Sequence, residues 1–198
     1  MSALNELAGE ICACRSCPAL VANRTRVVPG DGPDNAEIMF IGEAPGFNED
    51  QQGLPFVGAA GSFLEELLTS IRLKRAQVYI TNIIKCRPPQ NRDPLPTEIS
   101  NCNPWLESQL ERLRPRLIVT LGRYSMAKFF PGKTIGKIHG TAQKRDGVTY
   151  FAMYHPAAAL HQQSLRQTII EDMGRIPALL AQTSKVPEDS QPRQLSMF

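Results

Sequence analysis

The chain has 198 residues, 42% of them hydrophobic and 21% charged, with a formal net charge of +3. That is enough chain for one domain with its own core, and the composition excludes a disordered or collagen-like protein. No apolar run approaches the ~20 residues of a membrane-spanning helix. The opening segment, MSALNELAGEICAC, has no basic stretch leading into an apolar one, so no signal peptide is expected. A cytoplasmic protein is expected.

In chain order, residues 3–13 read as a short helix and 37–42 (EIMFIG) as a buried strand ending in glycine. Residues 59–71 set Phe63, Leu64, Leu67, Leu68 and Ile71 at helical spacing. A second strand, 78–84 (VYITNII), runs into a proline-rich loop, RPPQNRDPLP. Residues 97–113 follow as a helix with Thr97 as its expected N-cap. A third strand at 117–121 is closed by Gly122, and a short helix occupies 123–130. A fourth strand at 148–154 precedes a last helix over 163–181. The alternation predicts an α/β three-layer sandwich, a four-stranded parallel sheet flanked by helices. The domain is expected to span 1–182. Residues 183–198, polar and proline-containing, read as a flexible tail.

In such sheets ligands bind beyond the carboxyl ends of the strands. The first strand runs into GEAPG (42–46), the second carries Asn82 near its end, and the fourth runs into His155-Pro156. These polar residues converge on one sheet edge. Basic residues gather locally, with Lys133, Lys137, Lys144 and Arg145 in one stretch and Arg87 and Arg92 beside the proline-rich loop.

The five cysteines are unsuited to disulfides in an intracellular chain. Cys14 and Cys17 form a C-x-x-C pair, and Cys86 and Cys102 could complete a four-thiolate site, with Cys12 outside it. Spacing alone leaves open zinc, an iron–sulfur cluster, or buried thiols without a metal.

With GEAPG, GLPFVGAAG (53–61), VYITNIIKCRPPQNRDPLP (78–96), LIVTLG (117–122) and HPAAAL (155–160) in this order, the chain resembles the family 4 uracil-DNA glycosylases over roughly residues 10–180. The resemblance implies a 4Fe–4S cluster on Cys14, Cys17, Cys86 and Cys102. It implies removal of uracil from single- or double-stranded DNA, in which the base is first flipped into a pocket. Phe56 would stack on uracil, Asn82 would read its edge, and the backbone at Ala44 would help hold it. Glu49 or a neighbour would exclude the methyl of thymine. His155 would donate a hydrogen bond to the charge developing on O2. Glu43 would position the attacking water. Residues 157–160 would enter the space left by the flipped nucleotide, with Leu160 as the wedge. His139, in GKIHG, stands where many relatives carry a basic residue. The loop RPPQNRDPLP holds no histidine of the kind that traps product covalently, so turnover is expected.

The last five residues, QLSMF, resemble a bacterial sliding-clamp binding pentapeptide, with Gln194, Leu195, Met197 and Phe198 as the contacting residues. Otherwise a monomer is expected. Two other functions fit parts of the sequence: a non-catalytic DNA-binding repair module on the same fold, and a zinc-stabilised hydrolase of another small substrate.

Overall fold

The computed structural model describes residues 3–183. The sheet has five strands, β1 (Ile38–Gly42), β2 (Tyr79–Asn82), β3 (Leu117–Leu121), β4 (Ala142–Arg145) and β5 (Val148–Met153), in the order β2-β1-β3-β5-β4. Four are parallel, as the alternation of elements predicts. The fifth is a correction: β4 pairs antiparallel with β5 as an edge hairpin. Its turn is Asp146-Gly147, both at positive φ, a pair suited to tight hairpins. All four residues of β4 are exposed, so no apolar alternation marked it.

The parallel strands are buried on both faces and so are apolar almost throughout. Met39, Ile41, Ile118 and Ala152 face one core. That side is packed by α1 (Ala3–Cys12), α5 (Pro96–Leu113) and α6 (Arg123–Phe129). Ile38, Phe40, Leu117, Val119, Phe151 and Met153 face the other core. There α4 (Ala59–Ser70), α9 (Leu165–Met173) and α10 (Ile176–Ala181) close the layer. Short helices α2 (Pro18–Asn23), α3 (Phe47–Gln52), α7 (Ile135–Ile138) and α8 (Pro156–His161) complete the fold.

Two helix boundaries differ from the sequence expectation. The cap of α5 is Leu95, with Pro96 in the first turn, and the Leu95 N–H donates to the Glu98 carboxylate at 2.8 Å. Thr97 therefore lies inside the helix. The stretch 163–181 is split, because α9 ends at Gly174 and α10 restarts with Pro177 in its first turn. No helix among the described residues is long and apolar enough to cross a membrane.

Candidate active site

The carboxyl ends of β1, β2 and β5 meet around a pocket of about 170 Å3 lined by Ala44, Gly46, Glu49, Phe56, Ala60, Asn82, His155 and Ala157. That is below the ~300–1,000 Å3 of sites for drug-sized ligands and suits a single small ring. Six of the residues singled out in the sequence thus share one neighbourhood. Five line the pocket, and Glu43 sits beside them between β1 and Gly122.

Asn82 is the last residue of β2 and is 2% exposed. Its Oδ1 is buried and has no hydrogen-bond partner. An unpaired buried acceptor costs about 1–3 kcal/mol, and this one belongs to a residue that lines the pocket. The strand end itself is firmly held: the N–H groups of Ile83 and Ile84 donate to Gly42 and Glu43 carbonyls at 3.1 and 3.2 Å.

His155 caps α8. Its Nδ1 accepts from the Ala157 N–H at 3.1 Å. Nδ1 therefore carries no proton, and in the neutral ring the proton lies on Nε2. Burial pushes the histidine pKa down to about 4, with the Glu49 charge opposing. This environment favours the neutral imidazole, with Nε2 as its N–H.

Phe56 packs beside His155, with ring centroids 5.4 Å apart and planes 22° apart. Its backbone is at φ 52°, a left-handed conformation costly for a bulky residue. Arg75 holds it there by donating to the Phe56 carbonyl at 3.0 Å and also to the Pro55 carbonyl. Gly61 makes room, since a Cβ there would press on the Phe56 carbonyl.

Glu49 fixes the pocket wall. Its carboxylate accepts from the N–H groups of Gly46 (3.1 Å), Val57 (2.8 Å) and Gly58 (2.9 Å). These bonds staple the loop after β1 to the loop that carries Phe56. Glu43 accepts from the Tyr124 N–H at 3.1 Å. Burial raises its pKa, with the Tyr124 hydrogen bond and the Arg123 charge opposing.

Two strand-end glycines were read in the sequence only as strand closures. Gly122 is at φ 96°, and a Cβ there would lie 2.9 Å from the Glu43 carboxyl carbon and 3.1 Å from His155 Cβ. A Cβ on Gly42 would lie 2.7 Å from Phe56 Cζ and would strike Asn82 Oδ1. Both glycines are vacancies that admit site side chains. Only their position at the ends of β3 and β1 hinted at it.

Residues 157–160 lie in α8 and form a helix rather than a loop, with Leu160 48% exposed. Arg87 donates to Asn91 Oδ1 at 2.7 Å and lies over the exposed Phe47 ring at 5.0 Å. Arg92 is engaged by both oxygens of Glu98, at 2.9 and 2.7 Å. His139 Nδ1 lies 2.8 Å from Asp172 Oδ2, and its ring packs on Tyr154.

Cys14, Cys17, Cys86 and Cys102 line a second cavity with Arg24, Lys85 and Trp105, whereas Cys12 lines a separate groove. Arg24 donates to Cys86 Sγ at 2.8 Å and to the Cys14 carbonyl at 2.7 Å. Asn101 Nδ2 lies 3.7 Å from Cys17 Sγ. Burial pushes the thiol of Cys102 up to about 11 and that of Cys86 up in direction, while Lys85 and Arg24 respectively pull them back. For Cys14 burial also opposes ionisation, but bonds to Ser16 and Trp105 and the Arg24 charge outweigh it and lower the pKa. Among the described residues, no three His, Cys, Asp or Glu side chains are grouped so as to hold a single metal ion. Gln194, Leu195, Met197 and Phe198 lie outside the described residues.

A largely parallel sheet with a small pocket at its carboxyl edge, where Glu49, Asn82 and His155 meet an apolar wall, is the arrangement of a known class. The model of the Uracil DNA glycosylase superfamily matches residues 29–174, and the chain belongs to that superfamily. Within it, the chain is 44% identical over 188 residues to the type-4 uracil-DNA glycosylase of Archaeoglobus fulgidus, covering 90% of this chain and 94% of that protein. It is 40% identical to the type-4 uracil-DNA glycosylase of Thermotoga maritima, covering 84% of this chain and 89% of that one. The type-5 uracil-DNA glycosylase of Pyrobaculum aerophilum is 32% identical, over 73% of this chain and 78% of that protein.

Proposed function

We propose that this chain is a uracil-DNA glycosylase that flips uracil out of DNA and hydrolyses its N-glycosidic bond, leaving an abasic site for base excision repair. The unpartnered, buried Oδ1 of Asn82 in a base-sized pocket carries this reading. Uracil N3–H would supply the missing donor, and the Asn82 Nδ2 would donate to O4. A binding module without catalysis has no need of a neutral histidine and a buried carboxylate at the same pocket.

In this mechanism Phe56 stacks against the flipped ring, and the backbone around Ala44 supports it. Glu49, through its three N–H bonds, holds the wall that excludes the thymine methyl. As the C1′–N1 bond breaks, negative charge grows on uracil, and the His155 Nε2–H donates to O2. Preorganised donors of this kind are often worth the largest share of the rate. Glu43 orients the water that adds to C1′, and its raised pKa suits acceptance of the proton that water releases. Leu160 enters the space vacated by the nucleotide. Arg87 contacts phosphate, while Arg92, already bound to Glu98, supports the loop instead.

The cysteine site fits a 4Fe–4S cluster. The four cysteines line one cavity, and four thiolates are the ligand set that such a cluster takes. Four thiolates on such a core leave net negative charge, and Arg24 and buried Lys85 supply two cations beside it. Cys14 and Cys17, just before α2, would hold the cluster together with Cys86 after β2 and Cys102 on α5, and so would be tied to them.

The protein works as a monomer in the cytoplasm, on nucleoid DNA, and Gln194, Leu195, Met197 and Phe198 dock on the sliding clamp. The match of those four residues to the clamp-binding pattern supports the docking. Incubation with a uracil-containing oligonucleotide, then alkali, tests the activity: strand cleavage is expected, and none with an intact cluster overturns the reading. Deletion of residues 194–198 is expected to abolish clamp binding and leave activity on short oligonucleotides unchanged. Clamp binding that survives the deletion defeats the docking proposal.

A further inference from the structure

Lys85 is 1% exposed, a charged side chain in the interior with no place in the steps above. Lysine is almost never fully buried unless paired, and no carboxylate pairs with this one among its hydrogen bonds. Its three ammonium hydrogens are instead matched by three acceptors. Nζ donates to Thr81 Oγ1, to the Asn82 carbonyl and to Gln109 Oε1, each at 2.7 Å. Gln109 is itself 1% exposed and donates to the Pro29 carbonyl (2.7 Å) and to the Tyr79 hydroxyl (3.0 Å). Thr81 Oγ1 donates to the same Pro29 carbonyl at 2.9 Å. The ammonium is thus the hub of a closed network that spans β2, α5 and the segment before β1. The same side chain lines the cysteine cavity.

We propose that Lys85 is a positioning residue for base recognition, fixing the Asn82 backbone so that its amide meets uracil and linking the cysteine site to the base-reading end of β2. The charge sits between the two sites. On one side it faces Cys86 and Cys102, and on the other it grips the carbonyl of the residue that reads the base. A neutral side chain could fill the space but could not hold three converging acceptors. Arginine keeps the charge, yet its planar fork does not reproduce the tetrahedral geometry. Misplacement of a positioned group by about 1 Å can cost 10²-fold in rate.

This inference rests on Asn82 as the base reader, and a double-mutant cycle separates the two. Single-turnover cleavage of a uracil oligonucleotide is measured for wild type, Lys85→Met, Asn82→Ala and the double variant. Affinity for the same oligonucleotide carrying non-hydrolysable 2′-fluoro-deoxyuridine is measured alongside. Iron content and visible absorbance are recorded on every sample, so that loss of cluster is not mistaken for loss of positioning. Lys85→Met is expected to lower rate and affinity roughly tenfold or more in the wild-type background and less than about threefold in the Asn82→Ala background. A residue that merely supports the fold lowers both backgrounds by the same factor, and that result overturns the proposal alone. Full activity of Asn82→Ala overturns the base-reading role and takes this inference with it. If Lys85→Met does not accumulate as iron-bearing protein, Lys85→Arg takes its place in the same cycle, with the same two outcomes deciding.

Discussion

His155 is expected to stay neutral, with its proton on Nε2, from pH 8 down to about pH 5. The Ala157 N–H occupies Nδ1, and burial holds the ring pKa at about 4 instead of 6.5. Each pH unit of such a difference is worth roughly 1.36 kcal/mol, so charging this ring in place costs about 3 kcal/mol more than charging it in water. Because the folded pKa is the lower one, the unfolded chain takes up the proton first. The stability tied to His155 is therefore complete above pH 6.5 and is lost as pH falls from 6.5 towards 4. A His155→Gln variant lacks this decline, and its unfolding free energy should part from that of wild type by up to about 3 kcal/mol across that window. Nitrogen-15 histidine spectra give the direct assay. The expected signature is an unprotonated Nδ1, a protonated Nε2 and no titration between pH 8 and 5. A midpoint near 6.5, or a proton on Nδ1, refutes the reasoning, because the Nε2 donor then cannot be the resting form. The catalytic counterpart is His155→Ala, expected to lower kcat by about 10²–10³, the cost of removing one such donor.

Asn82→Ala is expected to lower kcat/KM on uracil DNA by at least ~10²-fold in single-turnover assays, while affinity for undamaged DNA is unchanged. Gly122→Ala adds a methyl against Glu43 and His155 at a left-handed backbone position. A loss of about 10²-fold in kcat with near-normal substrate binding is expected. Since burial raises the Glu43 pKa and its carboxylate is the working form, activity should fall with acidification at a pH above the ordinary carboxylate range. The Glu43→Gln variant is expected to show a low rate without that acid limb, read from the pH profile of kcat. Cys86→Ala or Cys102→Ala should lower bound iron and the melting temperature together, checked by metal analysis and calorimetry.

The polar half of the site was legible because topology makes it so. Glu43 and His155 follow buried strands and Asn82 ends one, and parallel strands deliver their carboxyl ends to one edge. The four cysteines were legible as a set but not as a geometry, since only folding brings Cys86 and Cys102 to the pair near α2. The hairpin strand β4 was missed because an exposed edge needs no apolar pattern. The last helix was overextended because Gly174 and Pro177 interrupt a continuous apolar rhythm. Arg75 escaped for another reason: its work is done on the Pro55 and Phe56 carbonyl groups, which sequence does not display.

Gly42, Gly122 and Lys85 show where local reading stops. A glycine that ends a strand reads as a breaker, yet Gly42 and Gly122 matter through the side chains that occupy their missing Cβ positions. Lys85, set between Ile84 and Cys86, reads as a solvent-facing lysine until the acceptors from Thr81, Asn82 and Gln109 appear around it. The partners of both glycines, and the Gln109 acceptor of Lys85, are distant in sequence. The arrangement also has an energetic logic. A pocket that keeps a buried amide oxygen unpaired and a phenylalanine at positive φ bears a standing cost of a few kcal/mol. The fold offsets it with rigid surroundings: three N–H bonds on Glu49, two carbonyl bonds from Arg75 and a saturated lysine under Asn82. The site is preorganised because the strain and the supports that hold it are adjacent. Loosening any one support is expected to lower activity before it lowers stability.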